Sequence, residues 1–405
     1  RMQVPPFSLS QQLADLGPEL DDAILRVLHS GQYIGGGEIQ KFETDFSTCV
    51  STAHSVGCNS GTDALILALR GLGIGAGDQV ITASFSFFAT AEAISAVGAT
   101  PVFVDVDPVT YLIDLTKIEA AITPNTKALM PVHLFGRPVD MEVLMAIAQR
   151  HSLQVVEDCA QATGACWNGK PVGSWGDAGC FSFFPTKNLG GAGDGGAVTC
   201  DDDGLAQRIR ELAVHGMPRR YLHTELGYNS RLDALQAAVL NVKLPHLRTW
   251  VDKRAAIASR YIKALADLPG LELPDPAADP AVGHGWNQFV VRVNLSPEAQ
   301  QTEAALGSNA ANNFGLPSSH RRDWLKQSLQ EQGVNTIIYY PIPIHRQPAY
   351  VDLGLAPGSL PITEQLCSEV LSLPIFPELS VEQQDRVIRV VKRLLSSSTQ
   401  ERMVA

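Results

Sequence analysis

The sequence predicts an α/β protein with a mostly parallel central sheet in a large domain and a smaller α+β C-terminal domain. Two patterns point there. From residue 53 onward, short β-branched runs alternate with longer helical stretches, the mark of βαβ units. The runs are also apolar at consecutive positions, as in strands that helices cover on both faces. Size agrees: 405 residues, at roughly 100–200 per domain, fit two domains or one large domain with a lobe.

The strand candidates are Gln79-Val80-Ile81-Thr82, Pro101-Val102-Phe103-Val104, Ala128 to Val132 and Leu153-Gln154-Val155-Val156. Helical patterns lie between them near 63–72, 90–97, 115–122 and 140–151. Arg231 to Lys243 places Leu232, Leu235, Val239 and Val242 on one helical face, and Pro245 is expected to end that helix. A second helix is expected from Trp250 through Arg254 and Tyr261 to Pro269-Gly270, with a strand later at Phe289–Val293. These patterns divide the chain into a large unit, 1–250, and a small one, 251–405. Residues 295–319 are rich in Asn, Ser, Gln and Ala without periodicity, which suggests a surface insertion, and the last ten residues are expected to fray.

Composition narrows the function. The chain carries 42 acidic against 31 basic residues, net −11, which disfavours nonspecific nucleic-acid or anionic-membrane binding. No apolar run approaches about 18 residues, and the opening Arg1-Met2-Gln3-Val4-Pro5-Pro6 lacks a secretory pattern. A cytoplasmic protein is expected. Seven cysteines without a Cys-x-x-Cys spacing read as reduced, buried thiols, and the histidines show no zinc-like spacing, so no structural metal is expected.

Four segments carry candidate chemistry. Asn59-Ser60-Gly61-Thr62-Asp63 precedes an apolar helix, so unpaired backbone N–H groups there suit a phosphate as well as ordinary capping. In Val155-Val156-Glu157-Asp158-Cys159-Ala160-Gln161, a carboxylate at the end of a buried parallel strand faces the crevice where open α/β sheets bind ligands, or else caps the next helix. Ser182-Phe183-Phe184-Pro185-Thr186-Lys187-Asn188 runs into a glycine-rich stretch, a setting for a Schiff-base lysine where a lone lysine is otherwise solvated. Gly191, Gly193 and Gly196 satisfy G-x-G-x-x-G, but Ala197–Cys200 looks like a strand, whereas a dinucleotide fingerprint must open a helix. In Tyr228-Asn229-Ser230-Arg231, an amide and a guanidinium at a helix start suit an anion or a surface salt bridge.

With these motifs in this order, the sequence resembles the DegT/DnrJ/StrS group, pyridoxal 5′-phosphate (PLP) dependent aminotransferases of nucleotide-activated keto-sugars with the aspartate-aminotransferase-like fold, the type I fold of PLP-dependent transferases. The likeness runs from about Gly31 to about Pro377 and includes Tyr339-Tyr340-Pro341-Ile342-Pro343-Ile344-His345 and Leu373-Pro374-Ile375-Phe376-Pro377. It implies PLP as cofactor, Lys187 as the imine-forming and proton-shuttling amine, and Asp158 paired with the pyridinium. It further implies Gly61, Thr62 and Ser182 around the phosphate, with Asn229 supplied by the partner of a homodimer. Phe87 would stack on the ring, and Gln161 and Asn188 would flank the cofactor. Arg231, Tyr340 and His345 would meet the nucleotide-sugar substrate, with Arg219, Arg220 and Arg346 as further candidates and L-glutamate as the expected amino donor.

The stretch Val214 to His223 looks like that of members acting at C3 of a UDP-sugar. The chain departs from the family at Thr163, where His is common, and in the length of 295–319. Family members that dehydrate sugars replace the lysine by His, so Lys187 favours transamination. An amino-acid aminotransferase, a lyase, a dehydratase or a non-catalytic PLP-fold sensor are the other readings.

Overall fold

A computed structural model describes residues 2–275, 279–294 and 320–396. The expectations for 295–319 and, Ser396 apart, for the chain's end lie outside them.

The large lobe is built on a seven-stranded sheet. Its strands are β1 (His54–Cys58), β2 (Gln79–Ala83), β3 (Thr100–Val104), β4 (Thr126–Met130), β5 (Gln154–Asp158), β8 (Ala178–Ser182) and β9 (Gly196–Cys200). The short β6 (Cys166–Trp167) and β7 (Lys170–Pro171) pair separately with β11 (Val282–Gly283). Strand order is β1-β9-β8-β5-β4-β2-β3; all pairs are parallel except those of β9, which is antiparallel to both neighbours. The carboxyl ends of β1, β2, β4, β5 and β8 therefore share one edge, where open α/β sheets bind ligands.

Helices α3 (Gly61–Gly71), α4 (Ala89–Ala96), α5 (Ile118–Ala121), α6 (Met141–Arg150) and α7 (Asp203–Leu212) connect or cover the strands. In α3, the run Ala64, Leu65, Leu67, Ala68 and Leu69 is buried against β8 and β9, and each leucine contributes roughly 1.5–3 kcal/mol of hydrophobic stabilisation. Two glycines permit the close fit at the site edge: a Cβ on Gly61 would lie 2.7 Å from Ser182 Cβ, and one on Gly196 would lie 2.3 Å from Ser60 O.

Two helices precede β1 and were not foreseen, α1 (Ser10–Ser30) and α2 (Gly37–Val50); both pack on α8 (Ala234–Lys243). α8 begins three residues later than its apolar spacing suggests, because Asp233 is extended and bridges Ile34, while Ala234 N–H donates to Tyr33 O. Pro245 sits in a 3₁₀ turn, Leu244–His246, that joins α8 to α9 (Leu247–Leu265). The 115–122 pattern forms a 3₁₀ turn and the short α5.

The small lobe has an antiparallel sheet of β10 (Leu271–Glu272), β12 (Phe289–Val293) and β13 (Val370–Leu373), packed with α9 and the helices His320–Glu331 and Val381–Leu395 around one core. Val4 belongs to that core and pairs with Val334, so the chain's start lies with its late segments. Five cysteines are buried; Cys49 is exposed and Cys166 half-buried, which corrects the expectation of buried thiols throughout. Among the described residues, no helix is long and apolar enough to cross a membrane.

Candidate active site

The loops leaving the carboxyl edge of the sheet enclose a cavity of about 400 Å³. β5 delivers Asp158 to it, because successive strand residues face opposite ways and Glu157 takes the other face. β8 delivers Ser182, and the chain turns back five residues later at Lys187. α3 begins at its rim, capped by Ser60, whose Oγ accepts the Asp63 N–H at 3.1 Å. The first-turn N–H groups of Gly61 and Thr62 have no partner among the described residues and line the cavity.

Electrostatics favour a reactive amine. Burial pulls the Lys187 pKa down to about 8, although the nearby Asp158 charge acts upward. Among the described residues, its ammonium makes no hydrogen bond or ion pair. Burial pushes the Asp158 carboxyl up, while hydrogen bonds from Thr90 and Ala160 and the Lys187 charge pull it back. Gln161 bridges two walls: its Oε1 accepts Phe135 N–H at 2.7 Å and its Nε2 donates to the Tyr340 hydroxyl at 2.7 Å. That leaves the Tyr340 proton available, and burial keeps the phenol protonated. Phe87 is 57% exposed at the mouth, its ring centroid 6.1 Å from that of Tyr340.

Lys187, Asp158, Gly61, Thr62, Phe87, Gln161, Ser182 and Tyr340 thus converge on one cavity. Asn188, Asn229, Arg231 and His345 do not line it. The Asn188 amide turns away and donates to Thr163 O and Gly285 O. His345 is buried: its Nε2 donates to Glu364 Oε1 at 3.1 Å, so its Nδ1 accepts from Ser84 Oγ at 2.7 Å, and no ring nitrogen is left for a ligand. Neither side chain lines this chain's own cavity, so their assignment to ligand contact rests on the resemblance alone. Asn229 is exposed and Arg231 half-buried, and the Asn59 amide donates to Asn229 O at 3.1 Å. Arg219 and Arg220 are exposed nearby in sequence, and Arg346 donates to Leu355 O.

Sequence reasoning missed Ser86, Thr90, Phe184, Asp194, Gln288 and Tyr339, all of which line the cavity. Ser86 and Thr90 flank Phe87 within four residues, so the Phe87 segment was the one available signal for them. His133, Glu157 and Cys159 approach one another as metal ligands do, yet Glu157 is consumed by His133 and by the backbone N–H groups of Gly173, Trp175 and Gly176.

The donor set fits PLP. Free helix N–H groups beside a serine hydroxyl suit a dianionic phosphate, a carboxylate suits a protonated ring nitrogen, and an amine of lowered pKa suits an aldehyde.

Comparison with known proteins agrees with this set. A model of the DegT/DnrJ/EryC1/StrS aminotransferase family matches residues 14–314 and 313–392. A protein of Acidithiobacillus ferrooxidans named UDP-N-acetyl-3-dehydro-α-D-glucosamine 3-aminotransferase is 45% identical, over 97% of this chain and 98% of its own. The crystal structure of Streptomyces venezuelae DesV in complex with a ketimine intermediate superposes with a TM-score of 0.89 at 44% identity, covering 98% of this chain and 99% of that one. That of Bacillus subtilis ntda with bound cofactor PMP gives 0.82 at 33% identity, covering 94% and 82%. Matched along most of its length, and with its lysine, carboxylate and helix N-terminus gathered in one cavity, the chain belongs to the DegT/DnrJ/EryC1/StrS aminotransferase family.

Proposed function

We propose that this PLP-dependent aminotransferase moves an amino group from glutamate to the 3-keto carbon of a nucleoside-diphosphate sugar, in amino-sugar biosynthesis. The observation that carries the reading is the convergence of Lys187 and Asp158 on one cavity beside the free N–H groups of α3. The sugar, its nucleotide and carbon 3 are supported by the name of the Acidithiobacillus relative.

When bound, PLP supplies an aldehyde to capture an amine and a ring that withdraws electrons from the carbon bearing it. The chain's residues do the rest. Lys187 provides the attaching amine and, once released, carries the proton on and off the reacting carbon. Asp158 holds the ring nitrogen protonated. Gly61, Thr62 and Ser182 would bind the phosphate, and Phe87 would stack on the ring and, with Tyr340, shield it from water. Gln161 orients the Tyr340 hydroxyl and leaves its proton free to be donated into the cavity.

Lys187 is the only Lys or Arg lining the cavity among the described residues, yet this substrate brings two further phosphates. A homodimer completes the site in this reading, with Asn229 and Arg231 of one protomer reaching the cavity of the other. Exposed Tyr221 (81%) and Leu226 (87%) near these residues in sequence support a surface that a second copy covers. A cytoplasmic location accords with seven free thiols.

The test is direct. Borohydride treatment of PLP-loaded protein should fix the cofactor to a single peptide containing Lys187. L-Glutamate should release one 2-oxoglutarate per site, and a nucleoside-diphosphate 3-keto-sugar should then return the cofactor to its starting absorbance. Label on another peptide, or a Lys187→Ala protein that still turns over glutamate, sinks the reading.

A further inference from the structure

Asp158 is held in two independent ways. Its backbone is fixed to the extension of β4: its N–H donates to Pro131 O at 2.9 Å, and its carbonyl accepts His133 N–H at 3.1 Å. Its carboxylate has two donors, Ala160 N–H to Oδ1 at 3.1 Å and the Thr90 hydroxyl to Oδ2 at 2.8 Å. A threonine hydroxyl has one proton, and the bond to Asp158 uses it. The 2.8 Å contact between Thr90 Oγ1 and Ser86 Oγ must therefore run the other way, with Ser86 donating. Counting protons thus gives a directed chain, Ser86 to Thr90 to Asp158.

Both hydroxyls are buried and line the cavity, Ser86 in the loop before α4 and Thr90 in its first turn, with Phe87 between them in sequence. Burial works against the charged form of Asp158, and each hydrogen bond to the carboxylate works for it. Away from water, one hydroxyl polarised by a second binds the charge more strongly than a lone one.

We propose that Thr90, oriented by Ser86, is the positioning residue that keeps Asp158 ionised and aimed at the ring nitrogen of PLP, so that cofactor retention depends on a hydroxyl at position 90. This inference rests on the functional reading above. It also makes the stretch Ser86–Thr90 serve the cofactor twice: Phe87 would stack on its ring, and the hydroxyl pair would hold the carboxylate that faces its nitrogen.

The experiment titrates apoprotein with PLP, following absorbance and tryptophan quenching, for the wild type, Thr90→Val, Thr90→Ser and Ser86→Ala; thermal melts check folding. Valine keeps the shape of threonine without the donor, whereas serine keeps the donor without the methyl group. Thr90→Val should bind PLP about ten- to a hundredfold more weakly, Thr90→Ser should bind as the wild type does, and Ser86→Ala should lie between. A packing role gives the reverse order, with valine near wild type and serine weakened; that order, or equal affinity in all four, overturns the proposal. Should Thr90→Val fail to fold, Ser86→Ala decides: weakened binding supports the relay and unchanged binding overturns it. A wild-type protein that takes up no PLP fails one step earlier and overturns the functional reading with it.

Discussion

At residue scale the chemistry turns on the protonation of Lys187. With its pKa lowered to about 8 by burial, the neutral, nucleophilic amine predominates above that pH and the ammonium below it. Uptake of PLP by apoprotein should therefore accelerate as pH rises through about 8 and slow below, as stopped-flow absorbance would measure; a pH-independent rate contradicts the assignment. Lys187 and Asp158 were legible in the sequence because each follows an apolar strand run. Asn188 and His345 lie off the cavity because adjacency in sequence says nothing of side-chain direction: the Asn188 amide donates to Thr163 and Gly285, and His345 lies between Ser84 and Glu364. Thr90 and Ser86 were illegible, since small hydroxyls at a helix start are commonplace and only their contact with Asp158 sets them apart.

At element scale β5 does two tasks with consecutive side chains. Asp158 faces the ligand cavity, while Glu157, fully buried, accepts four hydrogen bonds and ties the 173–176 turn and His133 to the strand. His133 Nδ1 accepts Val139 N–H, so its Nε2 carries the proton given to Glu157. Glu157→Ala would strand two buried and two half-buried donors and should cost about 3 kcal/mol or more. At about 1 °C per kcal/mol for a chain of this length, that lowers Tm by roughly 3–4 °C in a melt of apoprotein. An unchanged Tm would show that the clamp contributes little. Parallel strands were legible through their unbroken apolar runs, and β12 emerged with its expected bounds. The start of α8 was not, because the extended pairing of Asp233 with Ile34 is a tertiary contact that no local period records.

At the scale of the whole molecule the dimer reading predicts complementation. Lys187→Ala and Arg231→Ala proteins, each inactive alone, should regain about a quarter of wild-type activity when co-expressed: random pairing makes half the dimers hybrids, each with one intact site. Two inactive parents whose mixture stays inactive would mean that Arg231 serves its own cavity or none. The α/β class was visible from alternating patterns. The joining of Val4 to the small-lobe core was not, since a short apolar segment near the chain's start carries no period of its own.

Ser84 ties the lobes beside the cavity. Its carbonyl accepts Ile344 N–H, its hydroxyl accepts His345 N–H, and three residues along the same loop is Phe87. Helix Pro361–Glu369 is likewise anchored by Asp105, which accepts the Ile362 and Thr363 N–H groups. The strap that carries Tyr340 and the loop that carries Phe87 are thus riveted at a common pin. A hinge that swung the small lobe outward would have to drag the aromatic lip along or shear those bonds. Phe87 and Phe184, both exposed, both line the cavity beside that shared pin.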